Sequence, residues 1–276
     1  MVPEVLVLSL ALLLGAVGIQ ITDLRVPPAV RNNSGSGALL DCEYTLKPTE
    51  MTDSYSGLVV KWYFNNSPSP VYQWIPGQKP QDLGILKGKL DLSHRASDNV
   101  ATMHRALYIP NPTTELSGEY KCLVSTFNDE DFMTKKMVVF APEKSLEFIP
   151  SKPWSDAVNL TCRARGVYPE PKMALYKDPD RTKVEDVEVE TVSRQGSYDI
   201  VARRVMQDSE LTNPTVFACE LRIPEANYEV TRSVVYYPGI FSDTNDSSEV
   251  HSRLSHFWVS LVSLATSLMT AFRVCC

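Results

Sequence analysis

Three landmarks constrain the fold of this chain more than any other feature: Cys42, Trp62 and the run Leu116-Ser117-Gly118-Glu119-Tyr120-Lys121-Cys122. A cysteine on one strand, a tryptophan on a second and Tyr-x-Cys on a third mark an immunoglobulin-type sandwich. There the disulfide joins two facing sheets, the indole packs against it, and the tyrosine turns the corner before its strand. Alternation agrees with this reading. Ala38, Leu40, Cys42 and Tyr44 share one face, with Leu39, Asp41 and Glu43 on the other. Val60, Trp62 and Phe64 point inward, which turns Lys61 and Tyr63 outward. Tyr120, Cys122 and Val124 point inward, which turns Leu123 outward. A further strand, Val71-Tyr72-Gln73-Trp74-Ile75, follows directly, and the cysteines are widely spaced; both features predict a variable-type domain.

Residues 21–30 read as an edge strand that Pro27-Pro28 interrupts, because proline donates no ladder hydrogen bond. Thr126 to Asp131 read as a loop and Thr134 to Phe140 as the closing strand. The aspartate that often stands six positions before the second cysteine is replaced by Leu116, so apolar packing takes over from an ion pair there.

A second sandwich follows the short junction Ala141-Pro142-Glu143-Lys144, whose brevity and proline limit freedom between the domains. Cys162 and Cys219 have constant-type spacing, and Phe217, Cys219, Leu221 and Ile223 alternate inward. Two marks are altered: the tryptophan position falls at Leu175, and the corner position holds Phe217, which has no hydroxyl. The fold expected is all-β, two immunoglobulin-like sandwiches in tandem, variable-type over residues 19–141 and constant-type-like over 142–238.

The ends are processing and anchoring signals. Residues 1–18 read as a secretory signal peptide, with Ala16 and Gly18 at the −3 and −1 positions, although Glu4 stands where a basic residue is usual; an uncleaved anchor is the alternative. Secretion implies an oxidising compartment, so Cys42–Cys122 and Cys162–Cys219 are expected as disulfides. Sequons at Asn32, Asn65, Asn159 and Asn245 are candidate glycosylation sites, the last also a candidate lipid attachment point, with Ser242 or Ser247 in reserve. Residues 239–256 are a polar stalk and 257–276 a hydrophobic tail ending in Cys275-Cys276.

No catalytic or metal constellation stands out. The four histidines, His94, His104, His251 and His256, form no HExxH, and no Gly-x-Ser-x-Gly elbow occurs. His104 reads as a polar-face residue of a strand. Asp129-Glu130-Asp131 reads as a solvated loop tip rather than a calcium site. No cofactor is expected. With a net charge of −6 and no basic tract, nucleic acid is excluded as the natural partner. The informative surface is the outward face of the tryptophan-side sheet. Tyr63 and Leu123 are assigned to it, and Tyr72 and Trp74 are added as candidates whose side the pattern leaves open.

Several runs resemble the first domain of the insect beaten-path family: Thr22-Asp23-Leu24-Arg25-Val26-Pro27, Val60-Lys61-Trp62-Tyr63, Val71-Tyr72-Gln73-Trp74-Ile75-Pro76 and Leu116 through Ser125. Leu116 in place of aspartate fits that family too, and the likeness covers roughly residues 21–145. The resemblance implies a neuronal surface or secreted protein that binds sidestep-type immunoglobulin proteins on other cells, in axon guidance or synaptic partner choice. Two other classes stay open: an immune-type immunoglobulin receptor or secreted binding protein, and, more remotely, a secreted enzyme on a sandwich scaffold.

Lengths bear on the tail. Residues 246–256 supply a polar spacer and 257–272 an uncharged apolar run, within the about 8–12 and about 10–20 residues of a glycosylphosphatidylinositol signal. As a helix the apolar run reaches about 24 Å, short of a bilayer core of about 30 Å. A longer span over 254–274, with Cys275 and Cys276 palmitoylated, is the alternative. Phosphatidylinositol-specific phospholipase C should release the protein from expressing cells. Retention beside a released lipid-anchored control would establish the transmembrane alternative.

Overall fold

A computed structural model describes residues 18–47 and 57–239; the leader up to residue 17, Asn245, nearly all of the stalk and the tail lie outside the described residues. In the first domain β1 (Gln20–Arg25), β3 (Ala38–Thr45) and β7 (Leu107–Ile109) form a three-stranded sheet in the order β1-β3-β7. The facing sheet has six strands: β2 (Ala29–Arg31), β9 (Glu130–Phe140), β8 (Gly118–Ser125), β4 (Val59–Phe64), β5 (Tyr72–Trp74) and β6 (Gln81–Asp82), in that order. The Pro27-Pro28 break therefore does more than interrupt one edge strand. The chain pairs with β3 before it and, in parallel, with β9 after it, so the two halves lie in different sheets.

Cys42 and Cys122 are bonded across the sheets, with their Cα atoms 6.4 Å apart. Trp62 is the cross-strand partner of Cys122 and is wholly buried. Tyr120 donates its hydroxyl to the Leu116 carbonyl at 2.9 Å, and the Leu116 side chain lies inside the core. No strand covers the stretch from Leu83 to Ala106, which is held instead by side chains of the core strands. Tyr44 donates to the Ala101 carbonyl at 2.6 Å, Tyr72 to that of His104 at 2.7 Å, and the Trp62 indole to that of Arg105 at 3.2 Å. Burial pushes the phenols of Tyr44, Tyr72 and Tyr120 well above their ordinary range, which keeps them neutral donors.

On the outer face of the three-stranded sheet Asp41 is buried beneath two arginines. Arg105 Nε lies 2.8 Å and Arg25 Nη2 2.7 Å from its carboxylate, and both guanidinium groups also reach Glu43. Burial alone would raise the Asp41 carboxyl; the hydrogen bonds and charges of Arg105 and Arg25 outweigh it and hold it below the ordinary carboxylate range.

The second domain pairs β10 (Ser145–Ser151), β11 (Ala157–Val167), β15 (Ser197–Gln207) and β14 (Glu188–Arg194) in one sheet. The other contains β13 (Thr182–Lys183), β12 (Lys172–Asp178), β16 (Thr215–Ile223) and β17 (Tyr228–Tyr236). Cys162 and Cys219 are bonded, again with Cα atoms 6.4 Å apart. In the chain-entropy model each bridge contributes about 4 kcal/mol. Leu175 pairs with Cys219 just as Trp62 pairs with Cys122, so it occupies the tryptophan position and is fully buried. With phenylalanine at the corner, Asp208 joins the sheets instead. It accepts from the Tyr236 hydroxyl at 2.7 Å and the Lys152 ammonium at 2.6 Å.

The junction is bonded into the second domain. Ala141 and Tyr168 exchange backbone hydrogen bonds of 2.8 and 3.0 Å, and the Tyr228 hydroxyl donates to Glu143 at 3.0 Å. Among the described residues no helix is long and apolar enough to cross a membrane.

Two stability outcomes follow. Tyr120→Phe leaves the Leu116 carbonyl unpaired in the core and should cost about 1–2 kcal/mol, read from the urea midpoint of the first domain. Because the folded Asp41 carboxyl is depressed, its contribution is fully present above the unfolded value of about 3.9 and is lost as pH falls through the folded one. Asp41→Asn should cost about 2 kcal/mol near pH 7 and flatten the acid limb of a melting-temperature profile.

Candidate recognition face

The outward side of the six-stranded sheet is built by register. Cross-strand partners in an antiparallel pair share a face. Lys61 partners Gln73 on β5 and Leu123 on β8, and Leu123 partners Phe132 on β9, so these four lie in one row. Tyr63, Lys121 and Thr134 form the adjoining row. Tyr63 and Leu123 are both half-buried on this face. The Lys121 ammonium sits 4.7 Å from the Tyr63 ring centroid and 5.6 Å from that of Phe132, within reach of both aromatic faces. Phe132 is 60% exposed, and Phe127, in the loop joining β8 to β9, is 79% exposed. Gly57, with φ of +69°, lies directly beneath the Phe127 ring, where a β-carbon would come within 2.7 Å of it. The face thus combines large apolar rings with the cations Lys61 and Lys121.

Tyr72 and Trp74 do not belong to it. They are the cross-strand partners of the inward residues Trp62 and Val60, and both are 2% exposed. The stretch before β7 covers them: His104 accepts the Tyr72 hydrogen bond through its carbonyl and sets its ring edge-on to Trp74, with centroids 5.6 Å apart. His104 accordingly lies in a turn rather than on a strand, with Nδ1 2.8 Å from the His94 carbonyl. The His94 ring packs on Tyr108 instead.

Phe127, Lys121 and Phe132 escaped the sequence reading. Strand β9 begins at Glu130 rather than Thr134, so the loop is shorter than expected. The inward positions Met133, Met137 and Val139 share one parity, which would have turned Phe132 outward had the strand been started earlier. The acidic run is an exposed tip at Asp129 and Glu130, as expected, and it also has a structural part. Asp129 Oδ2 accepts from the Ile19 N–H at 3.1 Å and Asp131 Oδ2 from the Ile21 N–H at 2.8 Å, so both carboxylates tie down the start of β1. Among the described residues no group of three or more His, Cys, Asp or Glu is placed to hold a metal ion. Of the sequons, Asn65 is exposed, Asn32 and Asn159 are half-buried, and Asn245 lies outside the described residues.

No protein-family model matches the chain. It is 31% identical to butyrophilin subfamily 2 member A2 of Mus musculus over 138 residues, 49% of this chain. The chain spans 26% of the length of that curated relative. The crystal structure of bovine butyrophilin matches 79% of this chain and 97% of its own, at 18% identity and a TM-score of 0.61. A chain in the crystal structure of ICOS in complex with ICOS-L and an anti ICOS-L VNAR domain matches 75% of this one and 98% of its own, at 15% identity and a TM-score of 0.49. The butyrophilin structure and the strand order of both domains agree on the fold, two immunoglobulin-type sandwiches in tandem.

Proposed function

We propose that this chain is a non-catalytic extracellular recognition protein whose first domain binds another immunoglobulin-superfamily protein through the outward face of β9-β8-β4-β5. The observation that carries this reading is the Tyr63–Lys121–Phe132 stack beside Leu123 and Phe127, a large aromatic surface that the molecule's own second domain leaves in part exposed. Tyrosine and phenylalanine bury much area at low entropy cost, and a desolvated cation strengthens against them. Within this class the resemblance to the beaten-path family supports a sidestep-like partner on a facing cell, in axon guidance or synaptic partner choice. The identity to a butyrophilin over about half the chain supports a second reading, an immune-type immunoglobulin receptor. A place on the outer face of the plasma membrane, held by a lipid at Asn245, belongs to either. Among the described residues the His94 ring lies against Tyr108 and the His104 ring against Trp74, whereas the enzyme alternative would need one of them beside a buried carboxylate and a serine.

The test is a binding screen of the protein against a panel that includes sidestep-like and butyrophilin-binding immunoglobulin proteins. A sidestep-like partner supports the neuronal reading, and one drawn from the immune panel supports the second. With the partner in hand, Tyr63→Glu and Leu123→Glu should each weaken binding by about thirty-fold or more while secretion continues, as expected of residues worth about 2 kcal/mol at an interface centre. Val189→Glu, an exposed change in the second domain, should leave affinity unaltered. Unchanged affinity in both first-domain variants would move the interface off this face.

A further inference from the structure

From the start of β1 we infer that leader removal is itself a structural event: cleavage after Gly18 creates an α-ammonium at Ile19 that pairs with Asp129 and organises the tip of the β8–β9 hairpin. This inference rests on the leader reading and does not require the recognition reading to hold.

Four observations meet at this point. Asp129 Oδ2 stands 3.1 Å from the Ile19 nitrogen, the atom that becomes the ammonium once the peptide bond to Gly18 is hydrolysed. Hydrolysis puts the carboxylate on Gly18 and the amine, protonated at neutral pH, on Ile19. Asp129 is already aimed, because its other oxygen accepts the Glu130 N–H at 2.9 Å. A β-carbon at position 18 would fall 1.7 Å from Asp129 Oδ2, so in this arrangement the carboxylate occupies the space a larger residue there would take. Finally, Ile19 and Ile21 are 7% and 4% exposed in the core, and Asp131 accepts the Ile21 N–H at 2.8 Å, so the new terminus is anchored before it is charged.

The consequence reaches the hairpin. The Thr126 N–H donates to the Asp129 carbonyl at 2.8 Å, and the Phe132 N–H donates to Asp131 Oδ1 at 2.8 Å. The residues that hold Ile19 and Ile21 are therefore the ones that shape the turn between Phe127 and Phe132. An amide N–H offers Asp129 a neutral donor; an ammonium offers a charged one, and charge-assisted hydrogen bonds are the stronger kind.

The experiment starts from the full-length precursor expressed in secretory cells. The N-terminus of the mature protein is identified by peptide mass spectrometry and is expected to be Ile19. Hydrogen exchange is then measured at the amides of residues 21 and 126–132 in the parent, in Asp129→Asn, in a form carrying four extra residues between the leader and Ile19, and in both changes together. Asp129→Asn should speed exchange of this segment about fivefold in the parent and less than twofold in the extended form. A different mature N-terminus overturns the cleavage assignment. Ile19 at the terminus with equal Asp129→Asn effects in both backgrounds overturns the ion pair.

Discussion

The first domain depends on the bridge between Cys42 and Cys122 and on Trp62, the cross-strand partner of the second cysteine. Burying sulfur and indole together settles which side of β4 and β8 faces inward. With side-chain period two, every other residue of both strands is then assigned. Lys61, Tyr63, Lys121 and Leu123 are outward because Trp62 and Cys122 cannot be. The recognition face is thus the reverse side of the core, and its composition is selected separately from the packing that orients it.

The three-stranded sheet is short of a strand, and the molecule covers the gap by unusual means. From Leu83 to Ala106 the backbone forms no strand and touches the sheets only singly, as where the Asp91 N–H donates to the Tyr108 carbonyl at 2.9 Å, so several of its carbonyls need other donors. Tyr44, Tyr72 and Trp62 provide them, each an aromatic whose body fills the core while its polar tip reaches the covering segment. Arg105, near the end of that segment, is then positioned over Asp41 and Glu43. Burial of Asp41 is tolerable only because Arg105 and Arg25 neutralise it and satisfy its oxygens.

The second domain reaches the same architecture with the usual anchors exchanged. Leu175 fills the tryptophan position beside Cys219, and Phe217 keeps the corner apolar. Loss of the corner hydroxyl is offset by Asp208, which gathers Tyr236, Lys152 and the Gly239 N–H at one end of the sandwich. Hydrogen bonds from Ala141 and Glu143 into this domain make the junction part of it, so Phe140, the last residue of β9, packs toward Tyr228 with ring centroids 5.5 Å apart.

Local pattern by itself determined the two sandwiches, both cysteine pairs, the corner tyrosine, Leu175 as the tryptophan equivalent, and the outward direction of Tyr63 and Leu123. Each follows from alternation along one strand or from the order of landmarks along the chain, both of which are written in consecutive residues. Only the tertiary structure decided the side of Tyr72 and Trp74, the turn that holds His104, the shared row of Leu123 and Phe132, and the use of Asp129 and Asp131 to hold β1. These depend on register between strands and on contacts between residues more than a hundred positions apart, such as Ile19 and Asp129. A period-two pattern says which residues share a face but not which face is covered, because the cover is chosen by chain segments elsewhere.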